Sequence, residues 1–241
     1  MDTIFHEADS RGAANHGWLE AKYSFSFANY YNPQRMNFGV LRVLNDDKVA
    51  GGNGFGTHPH DNMEIITIPL EGALAHKDDM GNGTTIQSGD VQVMSAGTGI
   101  LHSEFNANEN NPCKLLQIWV FPDKKNVEPR YQQITLEKEK MKNNFLQILS
   151  PKKEDEGVWI HQNAWFHLGE FDENLEFSYK IKDPKNGLYV FLISGKIAAN
   201  NQELEQKDAF GVWNTDKSSD IINFKTHEFS KILLLEVPMG V

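Results

Sequence analysis

The chain has 241 residues, 39% of them apolar, and at about 150 residues per domain this makes roughly 1.6 domains, one large unit or two small ones. Mean hydropathy is −0.50 and the longest unbroken apolar run is six residues, 188–193, which excludes a membrane-spanning helix of about 20 apolar residues. Acidic residues outnumber basic ones 33 to 23, a formal charge of −10 with no Lys/Arg stripe, so direct nucleic-acid binding is excluded as the expected role.

No basic region followed by an apolar stretch opens the chain, so no secretory signal is expected. The single cysteine, Cys113, excludes an internal disulfide and any thiolate-rich zinc or iron–sulfur site, and the reducing cytoplasm is the expected compartment. Nine histidines stand beside that one cysteine. Any bound metal is therefore expected on imidazole and carboxylate.

In chain order, short β-branched or aromatic runs at 38–44, 63–70, 91–94, 115–121, 188–193 and 232–237 are broken by Gly, Asn, Asp and Pro. Runs of this length predict an all-β sandwich or barrel. Residues 135–144 alone have helical composition, without a clear apolar face, and read as a short helix or loop. The chain also repeats itself. Leu70-Glu71-Gly72, Gly89-Asp90 and the run ending in Pro122 are echoed by Ile193-Ser194-Gly195, Lys207-Asp208 and the run ending in Pro238. Two stacked β-barrels joined near 122–150 account for this, with the charged stretch 124–142 as the connection. The expected division is 1–130 and 131–241.

The informative stretch is 52–104. After a glycine-rich loop come His58-Pro59-His60 and then Glu64. Residues two apart on a strand face the same side, so His58 and His60 can aim both imidazoles at one point. Pro59 cannot donate to a β-ladder, which places this strand at an edge or mouth. Later, His102 and Glu104 share a face in Leu101-His102-Ser103-Glu104. Two strands with two ligands each make three imidazoles and one carboxylate, a set suited to iron, nickel, copper, manganese or zinc. Glu64 has the parity of His58 and His60 and reads as a fifth ligand, a partner behind the ligands, or a strand residue facing the pocket. His6, His16, His76, His161, His167 and His227 stand alone and are read as solvent-facing or hydrogen-bonded.

Gly52, His58-x-His60, Glu64 and Gly72 resemble the first cupin motif, and Gly89 through His102 the second. More closely, Thr57-His58-Pro59-His60, Leu70-Glu71-Gly72 and the segment from Gly89 to Glu104 are similar to the pirin family. Seven residues between Glu64 and Gly72, Ser95 in place of a proline, and four residues between Gly97 and His102 depart from the general cupin pattern and are shared by pirins. The resemblance implies two cupin (jelly-roll) barrels packed together and a metal on His58, His60, His102 and Glu104, with Glu64 outside the ligand set. It implies Fe(II) first, with Ni, Cu, Mn and Zn as alternatives.

Counting back from Gly195 as from Gly72 places the second barrel's equivalents at Ile181, Asp183 and Gly187, and counting back from Ile232 places another at Ser219. None is a histidine, so the second barrel is expected to be metal-free and structural. Bacterial pirins imply flavonol 2,3-dioxygenase (quercetinase) activity: a flavonol-type substrate, dioxygen, and Glu104 as candidate base for the 3-hydroxyl. The competing expectations are a metal-containing regulatory protein with a protein partner, and another metal-assisted cupin enzyme.

Overall fold

The computed structural model describes residues 1–214 and 220–240. The first strands are β1 (Asp2–His6), β2 (Gly12–Asn15), β3 (Leu19–Tyr23), β4 (Leu41–Val49), β5 (Gly54–His60), β6 (Glu64–Glu71) and β7 (Ala73–Asp78). Next come β8 (Gly83–Gln87), β9 (Asp90–Ser95), β10 (Ile100–Asn106), β11 (Cys113–Val120) and β12 (Arg130–Thr135). After the short helix α1 (Lys138–Met141) follow β13 (Leu146–Ser150), β14 (Val158–Trp159), β15 (Trp165–Phe171), β16 (Glu176–Lys180) and β17 (Asn186–Ser194). The chain closes with β18 (Ile197–Ala199), β19 (Gln202–Leu204), β20 (Ala209–Trp213), β21 (Ile221–Thr226) and β22 (Ser230–Pro238).

These strands build two barrels of one design. A seven-stranded sheet ordered β12-β9-β6-β11-β4-β3-β2 faces a four-stranded sheet β5-β10-β7-β8; the second barrel repeats this as β1-β20-β17-β22-β15-β13-β14 and β16-β21-β18-β19. The architecture is all-β, two cupin barrels. The repeated turns explain the repeated sequence. Asp90 Oδ2 accepts the Gln87 N–H at 2.9 Å, and Asp208 Oδ2 accepts the Glu205 N–H at 2.9 Å. Gly72 and Gly195 both hold the left-handed backbone that opens each hairpin, with φ of +76° and +94°.

The outer faces of the two large sheets share one core. Ile66, Ile68, Leu116 and Ile118 of the first sheet belong to the same cluster as Phe166, Leu168, Leu233 and Leu235 of the second. A central strand is thus covered on both faces, which is why the apolar run 188–193 does not alternate: it lies in β17, buried from Asn186 to Ile193. No helix among the described residues is long and apolar enough to cross a membrane.

Two strands cross the division expected between residues 130 and 131. β1 pairs antiparallel with β20 of the second barrel, Asp2 opposite Trp213 and His6 opposite Ala209. β12 pairs with β9 of the first, Arg130 opposite Ser95 and Thr135 opposite Asp90. The two occupy corresponding edge positions, so the barrels exchange a strand. The stretch 124–142, expected as a connection, holds β12 and the four-residue α1. Its polar Tyr-Gln-Gln sequence hides a strand because β12 buries neither face completely.

Strand pairing also corrects the equivalences drawn for the second barrel. β16 and β21 match β5 and β10, and their register aligns Tyr179 with Ile222 and Phe177 with Phe224, as His58 aligns with His102 and Phe55 with Glu104. Tyr179, Ile222 and Phe224 therefore stand where His58, His102 and Glu104 do, two or more positions from the counted ones; Ser219 lies outside the described residues. The interior there is filled by rings, with Phe171 stacked on Phe177 at 3.9 Å between centroids and Phe177 on Phe224 at 5.4 Å.

Candidate metal centre

β5 is the edge strand of its sheet, which accommodates Pro59. It approaches β10 closely because Gly54 has no side chain: a Cβ there would collide with the Glu104 backbone. His102 lies opposite His58, and the register then slips before Glu104, which faces Phe55. This bulge re-aims the side chains of β10 where the imidazoles meet.

His58 Nδ1 lies 2.8 Å from the Gly56 carbonyl oxygen and donates its proton there. The lone pair is left on Nε2, which lies 3.1 Å from His102 Nε2. The His60 ring stands 4.8 Å from His58 and 4.9 Å from His102 between centroids. One ring nitrogen from each of His58, His60 and His102 lies within 4.8 Å of the other two. A second triad, His76, His102 and Glu104, meets the same criterion and is buried throughout. The four residues predicted as ligands are thus brought together through His102, which belongs to both triads.

Burial, with the neighbouring imidazoles, pushes His60 down to about 4 and His102 down to about 3. Both rings are neutral near pH 7, the form that offers a lone pair. Burial pushes Glu104 up to about 7, against hydrogen bonds that favour its anion. Gln117 Nε2 donates to Glu104 Oε2 at 2.9 Å, and Thr67 Oγ1 lies 3.4 Å from Oε1.

These donors belong to a polar row that crosses the large sheet on its inner face. Tyr23, Asn45, Gln117, Thr67, Gln92 and Gln133 lie side by side on six neighbouring strands. Asp47, one inward step along β4 from Asn45, is buried beside Asp46 and Glu104 and pushed up to about 8.

The cluster opens onto a cavity of about 440 Å³ whose walls include Trp18, Phe27, Phe55 and Trp119. Its size falls in the range of about 300–1,000 Å³ of small-molecule sites.

Glu64 points the other way. It accepts the Ser95 hydroxyl at 2.6 Å and belongs to neither triad, while Arg130 donates to Ser95 Oγ at 3.2 Å and lies over the Trp159 ring at 3.9 Å. The turn at 61–63 between β5 and β6 breaks the parity that would have put Glu64 beside His60. Burial pushes it up to about 7.

Of the histidines read as standing alone, His76 does not. Its Nε2 lies 3.2 Å from Asp78 Oδ2 and its ring stands 5.3 Å from that of His102. The signal was the alternation His76-x-Asp78 on β7, the neighbour of β10. His6 and His167 are likewise buried, His6 with its Nδ1 2.8 Å from the Tyr189 hydroxyl. Gln117 and Thr67 were missed because their role depends on a partner strand.

A metal fits these residues. Metal–nitrogen bonds of about 2.0–2.1 Å set two ligands of one ion about as far apart as the facing Nε2 atoms. Neutral imidazoles beside a carboxyl buried without a compensating charge suit a divalent cation.

A family model described as Pirin matches residues 5–120, and one described as the quercetinase C-terminal cupin domain matches 147–237. The sequence is 36% identical over 232 residues to the quercetin 2,3-dioxygenase of Escherichia coli strain K12, covering 96% of this chain and 97% of that one. The chain belongs to the pirin family.

A putative quercetin 2,3-dioxygenase of Zymomonas mobilis is 39% identical over 225 residues, 93% of both chains. Among solved pirin structures, that of the bacterial pirin YhhW from Escherichia coli in complex with nickel(II) superposes with a TM-score of 0.92 at 34% identity over the whole of both chains. This pirin therefore shares with that structure one fold along its whole length.

Proposed function

We propose that this pirin is a metal-dependent dioxygenase that opens a flavonol-type ring, a quercetin 2,3-dioxygenase. The observation that carries the reading is the convergence of His58, His60, His102 and Glu104 on the wall of an aromatic cavity of about 440 Å³. The four side chains are the proposed ligands, within a first barrel of residues 1–130 as divided by sequence; the aromatic-filled barrel of 131–241 is the proposed structural partner. The quercetin dioxygenase name and nickel(II) of the relatives support the substrate class and a divalent ion. Fe(II) is our choice of native metal on the family resemblance. One buried, free cysteine, Cys113, accords with the cytoplasm.

When bound, the ion supplies Lewis acidity toward a substrate hydroxyl and a binding position for dioxygen. Glu104 is the proton acceptor for the flavonol 3-hydroxyl, in a site where Gln117 and Thr67 hold its carboxyl. Trp119, 4.9 Å from His60 between ring centroids, and Phe27, edge-to-face with Trp119 at 5.3 Å, form an apolar wall that packs against an aromatic ring and excludes water.

Oxygen uptake and carbon monoxide release with quercetin test the reading on protein loaded with Fe(II) or Ni(II). Turnover by wild type and loss of about 10²–10⁴-fold in Glu104→Gln are expected. Stoichiometric metal without turnover would replace the dioxygenase by a metal-containing interaction protein.

A further inference from the structure

One side of the cavity carries polar groups that the rest of the protein does not use. Asn45 and Asp47 both line it, at 2% and 5% exposure. Their Oδ1 atoms are buried and have no hydrogen-bond partner among the described residues. Their neighbour on the same face, Gln117, is engaged with Glu104 and Thr67. A buried oxygen without a donor is destabilising, and two of them two residues apart on β4, in a cavity whose walls also include Trp18, Phe27 and Phe55, point to a ligand that brings the donors.

We propose that Asn45 and Asp47 are specificity-determining residues that receive hydroxyl groups of a polyhydroxylated aromatic substrate other than the one directed to the metal. The proposal rests on the flavonol reading and adds which flavonols are selected. Side chains two apart on one strand are separated by about 6.6 Å, too far to share one hydroxyl, so each meets a different one. The aromatic walls hold the ring plane without regard to its substituents. Discrimination by hydroxylation pattern therefore falls to this pair. A site built to hydrogen-bond a substrate hydroxyl rejects the analogue that lacks it, because its own polar groups are then left unpaired.

The test is binding to nickel-loaded protein without oxygen, followed by quenching of tryptophan fluorescence, since Trp18 and Trp119 line the cavity. Two probes are compared: quercetin, and 3-hydroxyflavone, which keeps the hydroxyl directed to the metal and lacks the others. Wild type should bind quercetin more tightly. Asp47→Leu and Asn45→Leu should each weaken quercetin about tenfold and leave 3-hydroxyflavone unchanged, with the unfolding midpoint showing that both variants are folded. Equal loss for both probes, or none, overturns the proposal. Should either variant not fold, equal affinity of wild type for the two probes overturns it equally. Binding of neither flavonol by wild type overturns the flavonol reading and this inference together.

Discussion

The Nε2 atoms of His58 and His102 face each other at 3.1 Å across the β5–β10 pairing. His58 donates a hydrogen bond from Nδ1–H to the Gly56 carbonyl, so its facing nitrogen offers a lone pair. Three buried or half-buried imidazoles meet here without any carboxylate between the two facing nitrogens.

Nickel(II) added to metal-free protein should raise its unfolding midpoint. A ligand at about 1,000 times its Kd adds about 4 kcal/mol, roughly 10 °C for a chain of this length. His102→Ala should abolish that shift, because His102 belongs to both triads. Scanning fluorimetry with and without nickel measures it; an undiminished shift in the variant would place the ion elsewhere.

His76 should matter to metal affinity without being a predicted ligand. It is buried against His102 and hydrogen-bonded to Asp78, in the position of a residue that orients a ligand. His76→Phe should lower affinity for nickel by about 10–100-fold in competition with a chelator, while binding stays at one ion per chain. Loss below twofold would make His76 a packing residue only.

In the second barrel Glu236 is fully buried and accepts the Tyr179 hydroxyl, the Asn186 amide and the backbone N–H groups of Lys182 and Asp183. Glu236→Leu strands these donors and should cost about 3–5 kcal/mol in urea unfolding. A loss under about 1 kcal/mol would show that water replaces the carboxylate there.

Burial, reinforced by the charge of Arg35, pushes His6 down to about 4. As pH falls below the ordinary histidine value the unfolded chain takes up a proton that the folded chain refuses, so stability is lost between about pH 6.5 and 4, by up to about 3 kcal/mol. Above that window both states are neutral and the contribution is flat. Unfolding of wild type and His6→Phe should diverge in slope across this window and run parallel above pH 7. Parallel curves throughout would show that His6 takes up its proton at the same pH in the folded chain as in the unfolded one.

What could be read in advance followed the range over which each signal acts. His58-Pro59-His60 and His102-x-Glu104 were legible because alternation within one strand decides which side chains share a face. The same alternation misled at Glu64, where the turn at 61–63 resets the parity. His76, Gln117, Asn45 and Asp47 could not be read, since their place in the site comes from strands paired only in three dimensions. The two-barrel repeat showed in its turns, Gly72 with Gly195 and Asp90 with Asp208, whose chemistry is local. The exchange of β1 and β12 did not, because an edge strand leaves no pattern that names its partner.

That exchange also orders events as the chain is made. Synthesis runs at about 5–20 residues per second with N-terminal domains folding first, and every strand of the first barrel is available once Thr135 has emerged. β1 emerges before the other strands described, yet its partners, Ala209–Trp213, follow about 200 residues later. Ile4 and Phe5 pack against cores shared with or inside the second barrel and stay uncovered until then. A chain cut short between its first barrel and β20 would keep β1 unpaired, so the pairing of β1 reports whether β20 has arrived.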